Sequence, residues 1–130
     1  MSLATLKTFW ANTSALNTAL PASKVFLDYV PPTIAPPYCR LTVIGSDPLY
    51  VTAESHVEVF SYQLSIFHTD LDALTTIVTA VAGALDHAAI DANTLTNQRT
   101  NWLPQGEVVN GVYTYHSLLE YEWSYNTSSL

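Results

Sequence analysis

Residues 55–69, SHVEVFSYQLSIFHT, keep the composition of a β-strand for longer than a compact chain of this size can hold straight. Fifteen extended residues reach ~50 Å at ~3.3 Å each. A globular chain of 130 residues has a radius of gyration near ~14 Å. Such a strand must bend sharply or project beyond the body. Projection predicts a hairpin built from residues 41–66, with its tip in SDPLYVTAE. Within the strand, Val57 and Val59 share one face, while Phe60, Tyr62, Leu64 and Ile66 share the other. That change of parity predicts a bulge between 59 and 60, or a strand packed on both sides along part of its length.

The other segments arrange themselves around this strand. Leu3, Leu6, Phe9 and Trp10 recur at helical spacing, and Leu16 with Leu20 continue the stripe up to Pro21. KVFLDYV (24–30) and YCRLTVIG (38–45) read as strands. A second helix is written in Leu71, Leu74, Ile77, Val78, Val81 and Leu85, ending near Asp86–Ala89. Thr69 and Asp72 have capping-box spacing at its start. Residues 112–126, VYTYHSLLEYEWSYN, alternate: Tyr113, Tyr115, Leu119, Tyr121, Trp123 and Tyr125 on one face, Thr114, His116, Glu120 and Glu122 on the other. Before them, 91–111 reads as a weak polar strand near 94–102 and a long excursion, the kind of loop that carries function or moves. The order is α-β-β-β-α-β-β. It predicts an α+β fold of one domain, 1–130, an antiparallel sheet with two helices on one face and a projecting β-hairpin.

Charge is scarce and unevenly placed. Charged residues are 12% of the chain against 48% hydrophobic, where solvated surfaces commonly carry ~25–35% charge. Either the chain favours neutral polar groups, or another subunit covers part of its surface. Residues 1–40 hold Lys7, Lys24 and Arg40 against Asp28 alone. Residues 41–130 hold Arg99 alone against ten carboxylates. Binding nucleic acid through its phosphates is excluded by that balance. An acidic surface does let DNA slide past without sticking, and the asymmetry favours head-to-tail contact between copies. The longest apolar stretch, IVTAVAGAL (77–85), is too short to span a bilayer, so no membrane partner is expected. The lone Cys39 excludes an internal disulfide, and the N-terminus lacks the pattern of a secretory signal. Synthesis and assembly in a cytoplasm are expected.

Chemistry finds little footing. His56, His68, His87 and His116 do not fall at zinc-ligand spacing, and no HExxH is present. Cys39 sits in an apolar strand, where an unreactive thiol is the common case. Gly45, Gly83, Gly106 and Gly111 are too dispersed to cradle a phosphate. Glu120 and Glu122 stand ~7 Å apart along one strand face, a separation inverting glycosidases use, though solvated charges account for them better. No catalytic residue, metal or cofactor is expected. The aromatic face of 113–125 is either the packed side of the sheet or a stacking platform for rings. Trp102, in a polar stretch before Leu103 and Pro104, reads as an exposed anchor.

The combination resembles the tail terminator (tail completion) proteins of long-tailed bacteriophages over nearly the whole chain. The likeness rests on the N-terminal helix, a strand ending in a proline-rich bend, and PPYCRLTVIG leading into an acidic-tipped hairpin. It continues through HVEVFSYQLSIF, DLDALTTIVTAVAGAL and the aromatic last strand; the long polar segment 91–111 departs from it. The resemblance implies a homo-oligomer, a hexameric ring in the virion that caps the tail tube, ends its polymerisation and offers a surface to the head-tail connector protein. DNA would pass through without specific binding. Under that resemblance Asp47, Pro48, Leu49, Tyr50, Glu54, Arg99, Trp102 and Leu103 are candidate interface residues toward neighbouring copies and the tail tube protein. Pro31, Pro32, Pro36 and Pro37 would form a rigid contact loop, since fixed φ lowers the cost of ordering it and missing N–H groups block strand pairing. Alternatively the prolines do no more than end two strands. Another head-tail connector or neck protein, and a small cone-shaped α+β enzyme or ligand binder, remain the alternative functions.

Overall fold

The computed structural model describes residues 1–50, 55–101 and 104–128. Helix α1 (Leu3–Asn12) starts at Ser2, whose hydroxyl accepts from the Thr5 amide at 3.1 Å. The expected single helix up to Pro21 is two: the chain turns at Thr13 and resumes as α2 (Ser14–Ala19). Leu6, Trp10, Leu16 and Leu20 are nevertheless all buried. The Trp10 indole N–H donates to the Leu20 carbonyl at 2.8 Å and folds the second helix back onto the first. A 3₁₀ turn (Ala22–Lys24) leads into the short strand β1 (Val25–Leu27).

Strand β2 (Tyr38–Tyr50) and strand β3 (Ser55–His68) form the long antiparallel pair that the sequence demands. Helix α3 (Leu71–Leu85) follows, then β4 (Ala89–Ile90), β5 (Asn93–Thr100), β6 (Gln105–Val109) and β7 (Val112–Ser128). The strands form one sheet in the order β1-β2-β3-β7-β5-β4, with β6 also paired to β7. The fold is α+β, but the sheet is mixed rather than antiparallel throughout, because β1 runs parallel to β2. A parallel neighbour needs a return crossing, and the proline segment supplies it.

The β3–β7 ladder runs unbroken from Ser55↔Ser128 to His68↔Tyr115, so the bulge expected at 59–60 is not in β3. A bulge does lie on the facing strand, where Ile44 is the extra residue between Val43↔Tyr62 and Gly45↔Ser61. The projection holds with one more member. Beyond Leu95↔Trp123 strand β5 no longer flanks β7, and the sheet narrows to β2, β3 and β7. A third strand lets each inner backbone edge of the extension pair.

Two local expectations change. Asp70, not Thr69, caps α3, its carboxylate accepting from the Ala73 amide at 3.0 Å. Leu71 is exposed, so the buried stripe begins at Leu74 and runs through Ile77, Val78, Val81 and Leu85. The excursion expected in 91–111 is mostly strand: β6 returns along β7 through the turn Asn110-Gly111, with φ of 51° and 80°. Asn-Gly accepts the left-handed φ values of a two-residue hairpin turn more readily than other pairs.

The core joins the helices to one face of the sheet: Cys39 and Leu41 of β2, Tyr62, Leu64 and Ile66 of β3, Leu119, Tyr121 and Trp123 of β7. Burial pushes the Tyr62 and Tyr121 phenols up to about 12, and raises the Cys39 thiol well above its ordinary range against a smaller opposing pull from Arg40. Because the folded phenols hold their protons more tightly than unfolded ones near 10, this stability is fully present below pH 10 and is lost as pH rises to 12. A melting temperature that is flat to about pH 9 and then falls steeply, with a shallower fall in Tyr121→Phe, is the expected result. The Tyr121 hydroxyl has no hydrogen-bond partner, since the Asn97 amide turns to Thr100 and the Glu120 carbonyl. The same variant is therefore expected to match or exceed the parent stability at neutral pH.

Candidate assembly surfaces

The face of the sheet opposite the helices begins with a row of rings. Phe26 of β1 meets Tyr38 of β2 edge-on at 6.4 Å; Tyr38 stacks on Phe67 of β3 at 4.9 Å, and Phe67 on His116 of β7 at 5.2 Å. His116 Nδ1 lies 3.6 Å from Glu107 of β6. Register alone aligns these residues, since Tyr38, Phe67 and His116 are direct cross-strand partners. Further along, the same face carries Thr42, Gln63, Glu120 and Glu122, which is polar and suits solvent.

The proline segment runs beside this row. Lys24 Nζ donates to the Ala35 carbonyl at 2.7 Å, and Ile34 N–H closes a turn on Pro31 at 3.1 Å. The Asn110 amide donates to the Pro32 carbonyl at 3.2 Å. Pro32 to Pro36 and Val109, Asn110, Val112 and Thr114 face each other across a groove of about 350 Å³. The segment that carries the prolines thus lies against the β6–β7 hairpin as well as joining β1 to β2. Thr114, on the polar face of the alternation, is fully buried there. Tyr113, expected with the packed aromatics, is 55% exposed, because β3 ends opposite Tyr115 and no described strand flanks β7 before it on that side.

The candidate interface residues do not form one site. The backbone of Asp47, Pro48, Leu49 and Tyr50 pairs with Val59, Glu58, Val57 and His56 on the narrow extension. Arg99 is exposed on β5 opposite Glu120, three strands further across the sheet. Glu54, Trp102 and Leu103 lie outside the described residues. Pro31, Pro32, Pro36 and Pro37 sit at the opposite end of the strands from Tyr50.

Sequence reasoning passed over a more distinctive feature. Val108 is 68% exposed and Val112 51%, beside Tyr113 on the β6–β7 hairpin. The Tyr113 ring lies over Gly106, where a Cβ would collide with it. The Asn110-Gly111 pair between Val-Val and Val-Tyr was the signal available in the sequence. Across the sheet, Leu27, Tyr29, Val43 and Ile44 are exposed on β1 and its neighbour.

Little in the geometry offers catalysis. His68 Nδ1 accepts from the Asp70 amide at 3.1 Å, and His87 lies 3.5 Å from Asp86 at the end of α3. Both are helix-end arrangements. Among the described residues no three His, Cys, Asp or Glu side chains gather to hold a metal, and no helix is long and apolar enough to cross a membrane.

A chain titled "Virion of native gene transfer agent (GTA) particle" has a similar fold, with a TM-score of 0.64 at 17% identity over 93% of this chain and 92% of that one. A search of curated proteins finds no match. The sequence itself matches the family described as "Tail completion protein gp17" over residues 6–126, nearly its full length and every element from α1 into β7. By that match, the chain belongs to the tail completion protein gp17 family.

Proposed function

We propose that this tail completion protein acts as a ring, a hexamer of head-to-tail copies in the tail or neck of the virion, which caps the tail tube and presents a surface to the head-tail connector. Its work is steric: subunits bind the last ring of tube protein, close on one another, and leave no place for a further tube subunit. No bond is made or broken. The supporting similarity is to a chain of a virion particle. DNA passes through the ring without specific binding, repelled by a chain whose net charge is −7.

The observation that carries the reading is the sidedness of charge across the sheet. Lys24 and Arg40 stand at the β1–β2 side, against Asp28 after β1 and Asp47 further along β2. Asp86, Asp91, Glu107, Glu120 and Glu122 stand on the β4–β7 side, with Arg99 among them. Among the described residues neither Lys24 nor Arg40 is paired to a carboxylate. A chain with two unlike sides suits heterologous contacts, which form rings where the rotation from copy to copy closes. On the described part of the extension, Asp47 to Tyr50, together with Glu54, Trp102 and Leu103, is the proposed contact with the tube.

Tails assembled with and without the chain and imaged by electron microscopy test this. Without it, tubes are expected to lose their uniform length and to remain unjoined to heads. Uniform tubes that still fail to join heads would point instead to a neck protein acting after termination. Uniform tubes joined normally would end the reading.

A further inference from the structure

The turn that closes the β6–β7 hairpin is Asn110-Gly111, the only Asn-Gly step in the chain. Such a step is the one most open to a spontaneous reaction of proteins, in which the backbone nitrogen of the following residue attacks the asparagine side-chain carbonyl carbon. Three features of this turn favour it. Both residues are exposed, so water reaches them. A Cβ built on Gly111 would meet nothing within 4 Å, so neither a side chain of its own nor a neighbour crowds the attacking nitrogen. Among the described residues, none accepts a hydrogen bond from the Gly111 amide.

We propose that Asn110 is a modification site: water converts it to aspartate and isoaspartate in the folded chain, and the conversion unfastens the proline segment. The Gly111 nitrogen bonds to Asn110 Cγ and gives up its proton, while the Cγ–Nδ2 bond breaks and Nδ2 leaves with that proton as ammonia. A five-membered imide results, and one water opens it. Opening at Cγ yields aspartate; opening at the main-chain carbonyl yields isoaspartate, with the chain now running through the former side chain. The sum is amide plus water to carboxylate plus ammonium, with no oxidant and no metal.

The group that leaves is the group that holds. Asn110 Nδ2 donates to the Pro32 carbonyl at 3.2 Å, the only hydrogen bond from the hairpin to residues 31–37 among the described residues. An ionised carboxylate in its place has no proton to donate and sets acceptor against acceptor. Isoaspartate also adds a methylene to the backbone, and the two-residue turn between paired Val109 and Val112, at φ 51° and 80°, has no room in its geometry for it. The groove of about 350 Å³ between the two segments therefore loosens as the chain ages. While the Pro32 bond lasts, it holds the Asn110 side chain away from attack, so the reaction proceeds through brief opening of the turn. Exposed hairpin tips open at little cost.

Incubating the folded chain in isotopically labelled water at growth temperature and mildly alkaline pH tests the site. Mass spectrometry of its peptides is expected to find labelled oxygen at residue 110 before any other asparagine, as aspartate and isoaspartate together. The rate is expected within about tenfold of that of an unstructured peptide spanning 107–114, since opening the turn is cheap. No label at residue 110 once the peptide has converted fully, or earlier label at another asparagine, would overturn the site. Asn110→Asp, the product without the backbone change, tests the release. Ile34, whose amide closes on the Pro31 carbonyl inside the proline segment, is expected to exchange its hydrogen about fivefold faster in that variant, the worth of one net hydrogen bond. Asn110→Gly removes the donor without adding charge, accepts the same φ, and is expected to match Asn110→Asp at Ile34 and to take up no label at 110. Exchange at Ile34 as slow as in the parent, in either variant, would show that the Asn110 side chain fastens nothing and would overturn the release.

Discussion

Replacing Trp10 with alanine is expected to destabilise the chain by about 3–5 kcal/mol, the range for removing a fully buried large aromatic. Trp10 is completely enclosed, and its indole N–H satisfies the Leu20 carbonyl at the end of α2. Truncation would thus leave a cavity between α1 and the sheet and strand a buried acceptor, two costs of different origin. Trp10→Phe separates them, since it refills most of the space and loses only the donor; a loss of about 1–2 kcal/mol is expected there. Urea unfolding measures both. Since whole domains are stable by only about 5–15 kcal/mol, Trp10→Ala should leave much of the chain unfolded at growth temperature. An alanine variant as stable as the parent would mean that the α1–α2 hairpin is not docked as described.

Leu64→Ala is expected to cost about 2–5 kcal/mol, while Gln63→Ala, one residue earlier on the same strand, should change stability by less than about 0.5 kcal/mol. Leu64 lies between Leu41 and Leu119 in direct register, all three wholly buried beneath the helices. Gln63 lies between Thr42 and Glu120 on the opposite, polar face. Successive side chains alternate across a pleated strand, so the contrast measures which face of β3 is packed. Equal losses at the two positions would show that a further layer covers the polar face.

That parity was legible in the sequence. Tyr62, Leu64 and Ile66 were placed on one face by alternation, and all three are in the core. The α3 stripe was equally readable from Leu74 to Leu85, because five apolar residues at helical spacing allow one orientation. Of the two readings of the parity change at 59–60, the bulge is absent, since β3 pairs with β7 without a break. A bulge does occur in the neighbouring β2, at Ile44, and only the pairing reveals it. Thr69 and Asp72 fit a capping box by spacing alone; the cap is Asp70, extended at φ −109° and ψ 118° with its carboxylate on the Ala73 amide. The weak strand expected near 94–102 is β5; the excursion expected after it pairs as β6, a short polar strand that its neighbour β7 stabilises.

The candidate surfaces divide along the same line. The unequal charge of residues 1–40 and 41–130 is a property of the sequence, and so are the stiff proline segment and the excess length of β2 and β3. Where those properties point is not. Arg40 and Glu107 are 67 positions apart in the chain, and only the order β1-β2-β3-β7 with β6 outermost puts them on opposite sides of one sheet. Val108, Val112 and Tyr113 look like ordinary strand residues in sequence. They are exposed because β3 stops at His68, so that no described strand flanks the hairpin beyond it. Alternation tells a residue which face it occupies, whereas exposure depends on which other strand ends beside it, and that is decided by pairing between distant segments.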